Sequence, residues 1–289
     1  MSILLDKNTK VIVQGITGTQ ASFHTQKMLS YGTKIVGGVT PQKGGTKHLG
    51  LDVFNTVKDA VKETKSTASV MFVPARFVKN AVREAIEAEI ETVVAIAAGV
   101  PIKDMMEIKA MLKGSKTFLI GPNTPGIITP DEACLGIFPE NIHHKGNIGV
   151  VSRSSTLTYE AVLETNRAGM GQSTVIGLGD DMIVGTDFKE IIRKFHEDDN
   201  TKAILMIGQQ GGMYEEAGAE YYAGLKNKKP IIGYVAGSTI PLEDKMGYAG
   251  DIITRGKVTA QSKKDTMKEA GIMVAESIDH IHELLQTIK

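Results

Sequence analysis

What the chain lacks narrows it first. It has a single cysteine, Cys134, so no disulfide can form within it, which fits a reducing compartment. Its 33 basic and 33 acidic side chains cancel to a formal charge of zero, which leaves no basic footprint for nucleic acid. No apolar run reaches the roughly 18 residues that a membrane helix needs. The opening residues, MSILLDKNTK, are too short and polar for a secretion signal. The seven histidines are scattered, and the one adjacent pair, His143-His144, has no cysteine nearby, so no metal site is expected. The nucleotide loop Gly-x-x-x-x-Gly-Lys-Ser/Thr is missing too. These absences imply a soluble protein without nucleic-acid or membrane partners. The expected compartment is the cytoplasm, or the mitochondrial matrix if the chain is a processed mature form.

What is present is alternation. A chain of 289 residues with 42% hydrophobic content can bury the cores of two domains. Short β-branched runs read as strands: KVIVQG (10–15), TKIVGG (33–38), ASVMFVP (68–74), TVVAIA (92–97) and KTFLIG (116–121). Segments of helical spacing such as PARFVKNAVREAIEAE (74–89) lie between them. The pattern then restarts with GNIGVVS (146–152), QSTVIGLG (172–179), AILMIGQ (203–209) and PIIGYVAG (230–237) as strands, and STLTYEAVLETNRAG (155–169) as a helix. Such alternation predicts an α/β protein of two doubly wound parallel-sheet domains. The proline- and glycine-rich GPNTPGIITP places the boundary between residues 1–125 and 126–289.

Parallel sheets of this kind bind ligands in the loops at the carboxyl ends of their strands. After the first strand, VIVQGITGTQASFH carries Gly15 and Gly18 and opens a helix, so it can offer backbone N–H groups to a phosphate. Its Gly-x-x-Gly spacing is not the dinucleotide fingerprint, and the second strand ends in GGVTPQKGG with no acid for a ribose. Lys43 stands there instead, which suits a ligand with more phosphate than NAD. The competing reading is that these glycines only make tight turns. In the second half, VVSRSSTLTYE sets Ser154, Ser155 and Thr156 at a helix start, either as an anion site or as a plain serine cap. The loops GLGDD, IGQQGG and GYAG are expected to converge on the same edge.

The motifs QGITGTQASFHT, YGTKIVGGVTPQKGGTKHLG, VFNTVKDAV, GPNTPGIITP, VSRSSTLTYEAV and KMGYAG together resemble the alpha subunit of succinyl-CoA synthetase, the ADP- or GDP-forming succinate–CoA ligase, along essentially the whole chain. The resemblance implies an N-terminal Rossmann-like CoA-binding domain and a C-terminal flavodoxin-like ligase domain. It implies an ATP-grasp beta subunit as partner and a small carboxylate such as succinate as substrate. It further implies ATP or GTP with Mg held by that partner, and a route through an acyl phosphate and a phosphorylated histidine. CoA contacts carry over onto Thr17, Gly18, Thr19, Gln20, Lys43, Pro74, Ile96, Ala97 and Ala98, with Lys43 suited to the CoA 3′-phosphate. Phosphate and substrate contacts carry over onto Ser154, Ser155, Thr156 and Tyr159.

The chain departs from the family where phosphate is handled. The phosphorylated histidine of the family's GHAG is Tyr248 here, and the glutamate that orients it is Gln209. The glycine after the helix-start serine is Ser155, GGD has become Gly179-Asp180-Asp181, PNCPG holds Thr124, and the glutamate of TEG is Ala98. The CoA loops are largely kept. Two readings follow: an acyl-CoA ligase subunit with an altered or absent phosphohistidine step, or a catalytically degenerate CoA-binding or regulatory subunit. A nicotinamide-dependent oxidoreductase is disfavoured by Lys43 and the missing acid.

Overall fold

The computed structural model describes residues 2–237 and 259–288. It divides into two compact units: Leu4–Glu140 with 183–185, and Asn141–Met182 with Thr186–Lys289 and the first three residues. Tyr248 lies outside the described residues.

The N-terminal unit runs β1 (Val11–Gln14), α1 (Thr19–Tyr31), β2 (Ile35–Val39), β3 (Lys47–His48), β4 (Leu51–Phe54), α2 (Val57–Thr64), β5 (Ala68–Met71), α3 (Ala75–Glu87), β6 (Thr92–Ala95), α4 (Ile102–Leu112), β7 (Phe118–Ile120), β8 (Gly126–Thr129) and β9 (Ala133–Gly136). Residues of β1, β5 and β6 are buried throughout, which is why these strands read as unbroken apolar runs. The sheet order is β3-β4-β2-β1-β5-β6-β7, parallel except for the β3–β4 edge pair. With β3 set aside, this is the doubly wound order in which the chain turns back between β1 and β5. The core gathers Ile12, Met71, Val82 and Val93 from sheet and helix faces.

The second unit contains β10 (Lys145–Ser152), α5 (Ser155–Arg167), β11 (Gln172–Gly177), α6 (Phe188–Glu197), β12 (Ala203–Gln209), α7 (Tyr214–Ala223), β13 (Ile231–Ala236), α8 (Ala260–Glu269), β14 (Met273–Val274) and α9 (Ile278–Thr287). The second sheet has the order β14-β13-β12-β10-β11-β8-β9, and its first five strands run parallel, so the switch point falls between β10 and β12. The α/β class and the two mostly parallel sheets agree with the alternation in the sequence.

The stretch expected to part the domains does something else locally. Residues 126–136 form the antiparallel hairpin β8–β9, with Gly126 opposite Gly136 at its open end. A Cβ on Gly126 would stand 2.1 Å from the Leu135 carbonyl oxygen, so glycine here serves strand pairing. The hairpin is tied to the N-terminal unit. Thr33 Oγ1 donates to the Cys134 carbonyl (2.8 Å) and accepts from the Cys134 N–H (2.9 Å), and Thr129 Oγ1 donates to the Leu5 carbonyl (2.8 Å). The compact units divide after Glu140, while in strand order the hairpin belongs to the second sheet.

Candidate functional site

At the N-terminal switch point the loop after β1 meets the loop after β5. Gly15 has φ +80°, and a Cβ there would lie 2.7 Å from the Phe72 carbonyl oxygen. Both the left-handed backbone and the close approach require glycine. Gly15→Ala is expected to destabilise the unit by about 1–2 kcal/mol from backbone strain alone. Denaturant unfolding measures that loss, and calorimetry on the same variant should show weaker CoA binding.

Gly18 caps α1 with no side-chain hydrogen bond, which leaves first-turn N–H groups at Thr19 and Gln20 facing outward as an anion-ready helix start. Pro74 begins α3 in the same uncapped way. Thr17 is half-buried, while Gly18, Thr19 and Gln20 are exposed. Lys43 comes to this edge from the loop after β2, and its Nζ donates to Thr17 Oγ1 at 3.2 Å. No described carboxylate pairs with it. Its loop is fastened through the backbone: Gly44 N–H donates to Asn55 Oδ1 (2.9 Å) and Gly45 N–H to the Val53 carbonyl (3.0 Å). Two side chains that the sequence did not single out complete the wall. His48 Nε2 meets Ser22 Oγ at 2.7 Å, and His24 stacks on Phe72 with ring centroids 5.6 Å apart. Burial, then the charge of Lys27, pushes His24 below the ordinary imidazole value. Ile96, Ala97 and Ala98 follow β6, one strand further along the same edge. Ala97 and Asn123 are joined there by a backbone hydrogen bond of 2.9 Å.

The second edge belongs to the C-terminal sheet. Ser154 is the N-cap of α5 and its side chain accepts from Leu157 N–H at 3.4 Å, so the capping role is present. It is almost fully buried, whereas Ser155 and Tyr159 are half-buried and Thr156 is exposed. Gln209 ends β12 fully buried. Its Nε2 donates to Asp180 Oδ1, while its Oε1 has no hydrogen-bond partner among the described residues.

Behind these loops lies a buried ionic cluster that sequence reading missed. Arg153 Nη1 donates to the Gly211 carbonyl (3.0 Å) and to Glu215 Oε1 (3.2 Å). Lys263 Nζ donates to Glu215 Oε2 (2.7 Å), Glu216 Oε2 (2.7 Å) and the Gly212 carbonyl (2.8 Å). Arg153, Glu215 and Lys263 are each at most 1% exposed. Glu215 Oε1 also accepts the Gln209 backbone N–H at 3.1 Å, so the cluster fixes the residue that ends β12. Burial alone would raise the Glu215 carboxyl. Arg153, Lys263 and the two hydrogen bonds outweigh it and hold the carboxyl below the ordinary range. The available sequence signals were an arginine between an apolar strand and a serine cap, and a Glu-Glu pair opening a helix.

Both halves match known family descriptions, a CoA binding domain over residues 6–99 and a CoA-ligase domain over residues 151–273. The ADP-forming succinate–CoA ligase subunit alpha of Staphylococcus aureus strain Mu50 is 49% identical over 285 residues, 99% of this chain and 94% of that one. The chain belongs to the succinate–CoA ligase alpha-subunit family. A second relative, subunit alpha 2 of the ADP-forming succinate–CoA ligase of Archaeoglobus fulgidus, is 49% identical over the full length of both chains. Among solved structures, ATP citrate lyase from Methanothrix soehngenii, in complex with citrate and coenzyme A, superposes with a TM-score of 0.89 at 26% identity. That match covers 99% of this chain but only 50% of the lyase chain, so this chain spans about half the lyase's length. The protein is thus an alpha-type subunit of an acid–thiol ligase family and carries that family's CoA-binding domain. No helix among the described residues is long and apolar enough to cross a membrane.

Proposed function

We propose that this chain binds CoA at the N-terminal switch point and joins it to a small carboxylate, such as succinate, together with an ATP-grasp beta subunit. The phosphohistidine step is altered or absent. Thr17, Gly18, Thr19 and Gln20 form the phosphate-facing helix start, Lys43 supplies the cation, and Pro74 and Ile96–Ala98 line the neighbouring loops. An uncapped helix start beside an exposed lysine that has no carboxylate partner among the described residues is donor chemistry that fits the phosphates of CoA. ATP or GTP with Mg enters through the beta subunit.

The observation that carries the altered phosphate step is Gln209. A carboxylate at this place could hold a proton or orient an imidazole, whereas a carboxamide cannot take up a proton at neutral pH. Gln209 turns its amide toward Asp180. Tyr248 stands where the family has histidine. A phenol with an ordinary pKa near 10 is ionised to about one part in a thousand at pH 7, a cost of about 4 kcal/mol that a neutral imidazole does not carry. The expected result is therefore that no histidine is phosphorylated during turnover and that Tyr248 does not carry phosphate in its place. Labelled ATP, beta subunit and this chain, followed by acid- and base-stability tests and mass spectrometry, decide the matter. An acid-labile phosphoramidate, or a phosphoester on Tyr248 formed and consumed at the turnover rate, would sink the reading. Tyr248→His alone should not recover full activity, because Gln209, Ser155 and Asp180 remain. The same substitutions favour a second reading, a CoA-binding subunit that catalyses nothing. Acyl-CoA formation by the reconstituted pair separates the two.

A further inference from the structure

We propose that His48 is a positioning residue for the CoA edge: its Nε2–H latches the β3–β4 hairpin onto the first turn of α1 and so holds Lys43 beside the outward-facing amides. The geometry at Ser22 places the proton. Ser22 Oγ lies 2.8 Å from the Gly18 carbonyl, 3.3 Å from the Ile16 carbonyl and 2.7 Å from His48 Nε2. A hydroxyl has one proton to give, and two of these neighbours can only accept. The proton goes to the nearer carbonyl, that of Gly18. The short contact to His48 then requires the imidazole to be the donor, with its hydrogen on Nε2. Ser22 is also where α1 begins its own bonding, since its backbone N–H donates to the same Gly18 carbonyl at 2.8 Å. The histidine therefore grips the turn that carries the Thr19 and Gln20 amides.

The hairpin has little else to fix it. β3 is an edge strand of two residues, paired with β4 through Lys47 opposite Asp52 and His48 opposite Leu51. A two-stranded hairpin is marginal by itself. The Lys47–Asp52 ion pair, at 3.5 Å, is exposed and counts for little. The turn is Leu49-Gly50, at φ +51° and +78°. Two left-handed residues in a row suit Asn-Gly or Gly-Gly, and leucine is a poor first occupant. Lys47, Leu49 and Gly50 are all exposed, so packing adds little at the tip. From the hairpin the link runs on to Lys43. Thr46 directly precedes β3, and its N–H and its hydroxyl both donate to the Lys43 carbonyl, at 3.3 and 2.7 Å. Lys43 is thus set from two sides, its backbone through Thr46 and His48 and its ammonium through Thr17. The anchors at Asn55 and Val53 tie the same loop to the sheet, whereas His48 ties it to the helix.

This inference rests on the CoA reading for what Lys43 meets, and two measurements let the two fail separately. In the free full chain, amide relaxation should show Lys43, Gly44 and Gly45 as ordered as α1. His48→Ala should loosen them, and Ser22→Ala should do the same. His48→Gln, whose carboxamide can place an N–H where the imidazole has one, should restore them. Calorimetry then follows CoA. His48→Ala should weaken binding about three- to tenfold, the usual worth of one hydrogen bond, and His48→Gln should return most of it. The loss should shrink in a Lys43→Met background, because His48 acts through that lysine. Unchanged order of residues 43–45 in His48→Ala overturns the proposal. So does a CoA loss that is equal with and without Lys43, or one that His48→Gln leaves in place. A wild type that takes no CoA overturns the CoA reading instead, and the relaxation measurement still decides the latch.

Discussion

Glu215→Ala is expected to destabilise the C-terminal unit by about 3–5 kcal/mol, because it strands two buried cations at once. Both Arg153 and Lys263 lose their shared carboxylate, and neither can reach water, being at most 1% exposed. Glu216 remains for Lys263, whereas Arg153 pairs with Glu215. Against a total stability of about 5–15 kcal/mol, such a loss is a large fraction. Denaturant unfolding of the full chain should show an early transition for this unit. Replacing Arg153, Glu215 and Lys263 together with apolar residues of similar size should cost less than Glu215→Ala alone, since no charge is then left unpaired. A single substitution within about 1 kcal/mol of wild type would show that water reaches the cluster. The acid dependence follows from the same carboxyl. It is held below 4.5 in the folded chain, so unfolding is accompanied by proton uptake once the pH falls below 4.5. The contribution of the cluster is complete above that pH and is lost progressively beneath it.

The parallel strands were legible because burial on both faces demands unbroken apolar runs, and such runs stand out without any partner being known. AILMIGQ was expected over 203–209, and β12 has those bounds. Elements whose residues answer to a neighbour were not legible. GPNTPGIITP read as a separator because glycine and proline signal turns locally. The pairing of Gly126 with Gly136 depends on how closely two backbones approach, which composition does not carry. Lys263 and Lys264 look like the solvated face of a helix, yet Lys263 is fully buried. What draws it inward is a Glu-Glu pair 47 and 48 residues earlier in the chain. The candidate residues separate along the same line. Lys43 and Thr17 were both selected from their loops, and the sheet order brings them within 3.2 Å. That Asp180 meets Gln209 depends on β10 standing between β11 and β12, and strand order is a property of the assembled sheet.

Lys43→Glu is expected to lower CoA affinity by well over tenfold while changing dephospho-CoA affinity far less. Lys43 is exposed, its Nζ bonds the neutral Thr17 hydroxyl and no carboxylate among the described residues, and its loop is fixed by the bonds of Gly44 to Asn55 and Gly45 to Val53. The loop therefore keeps its place in the variant while the charge reverses. A phosphate monoester at neutral pH carries between one and two negative charges. Reversing a cation beside it converts attraction to repulsion, and a factor of ten corresponds to about 1.4 kcal/mol. Solvent screens a pair at the surface, so the difference should narrow between low and high salt. Lys43→Met gives the intermediate case, with the attraction removed and no repulsion added. Calorimetry with the two ligands at two salt concentrations measures all of this. Parallel losses for CoA and dephospho-CoA would place Lys43 against the pyrophosphate instead. Unchanged affinity for both would remove Lys43 from the site and leave the uncapped start of α1 as the main anion-facing feature of that edge.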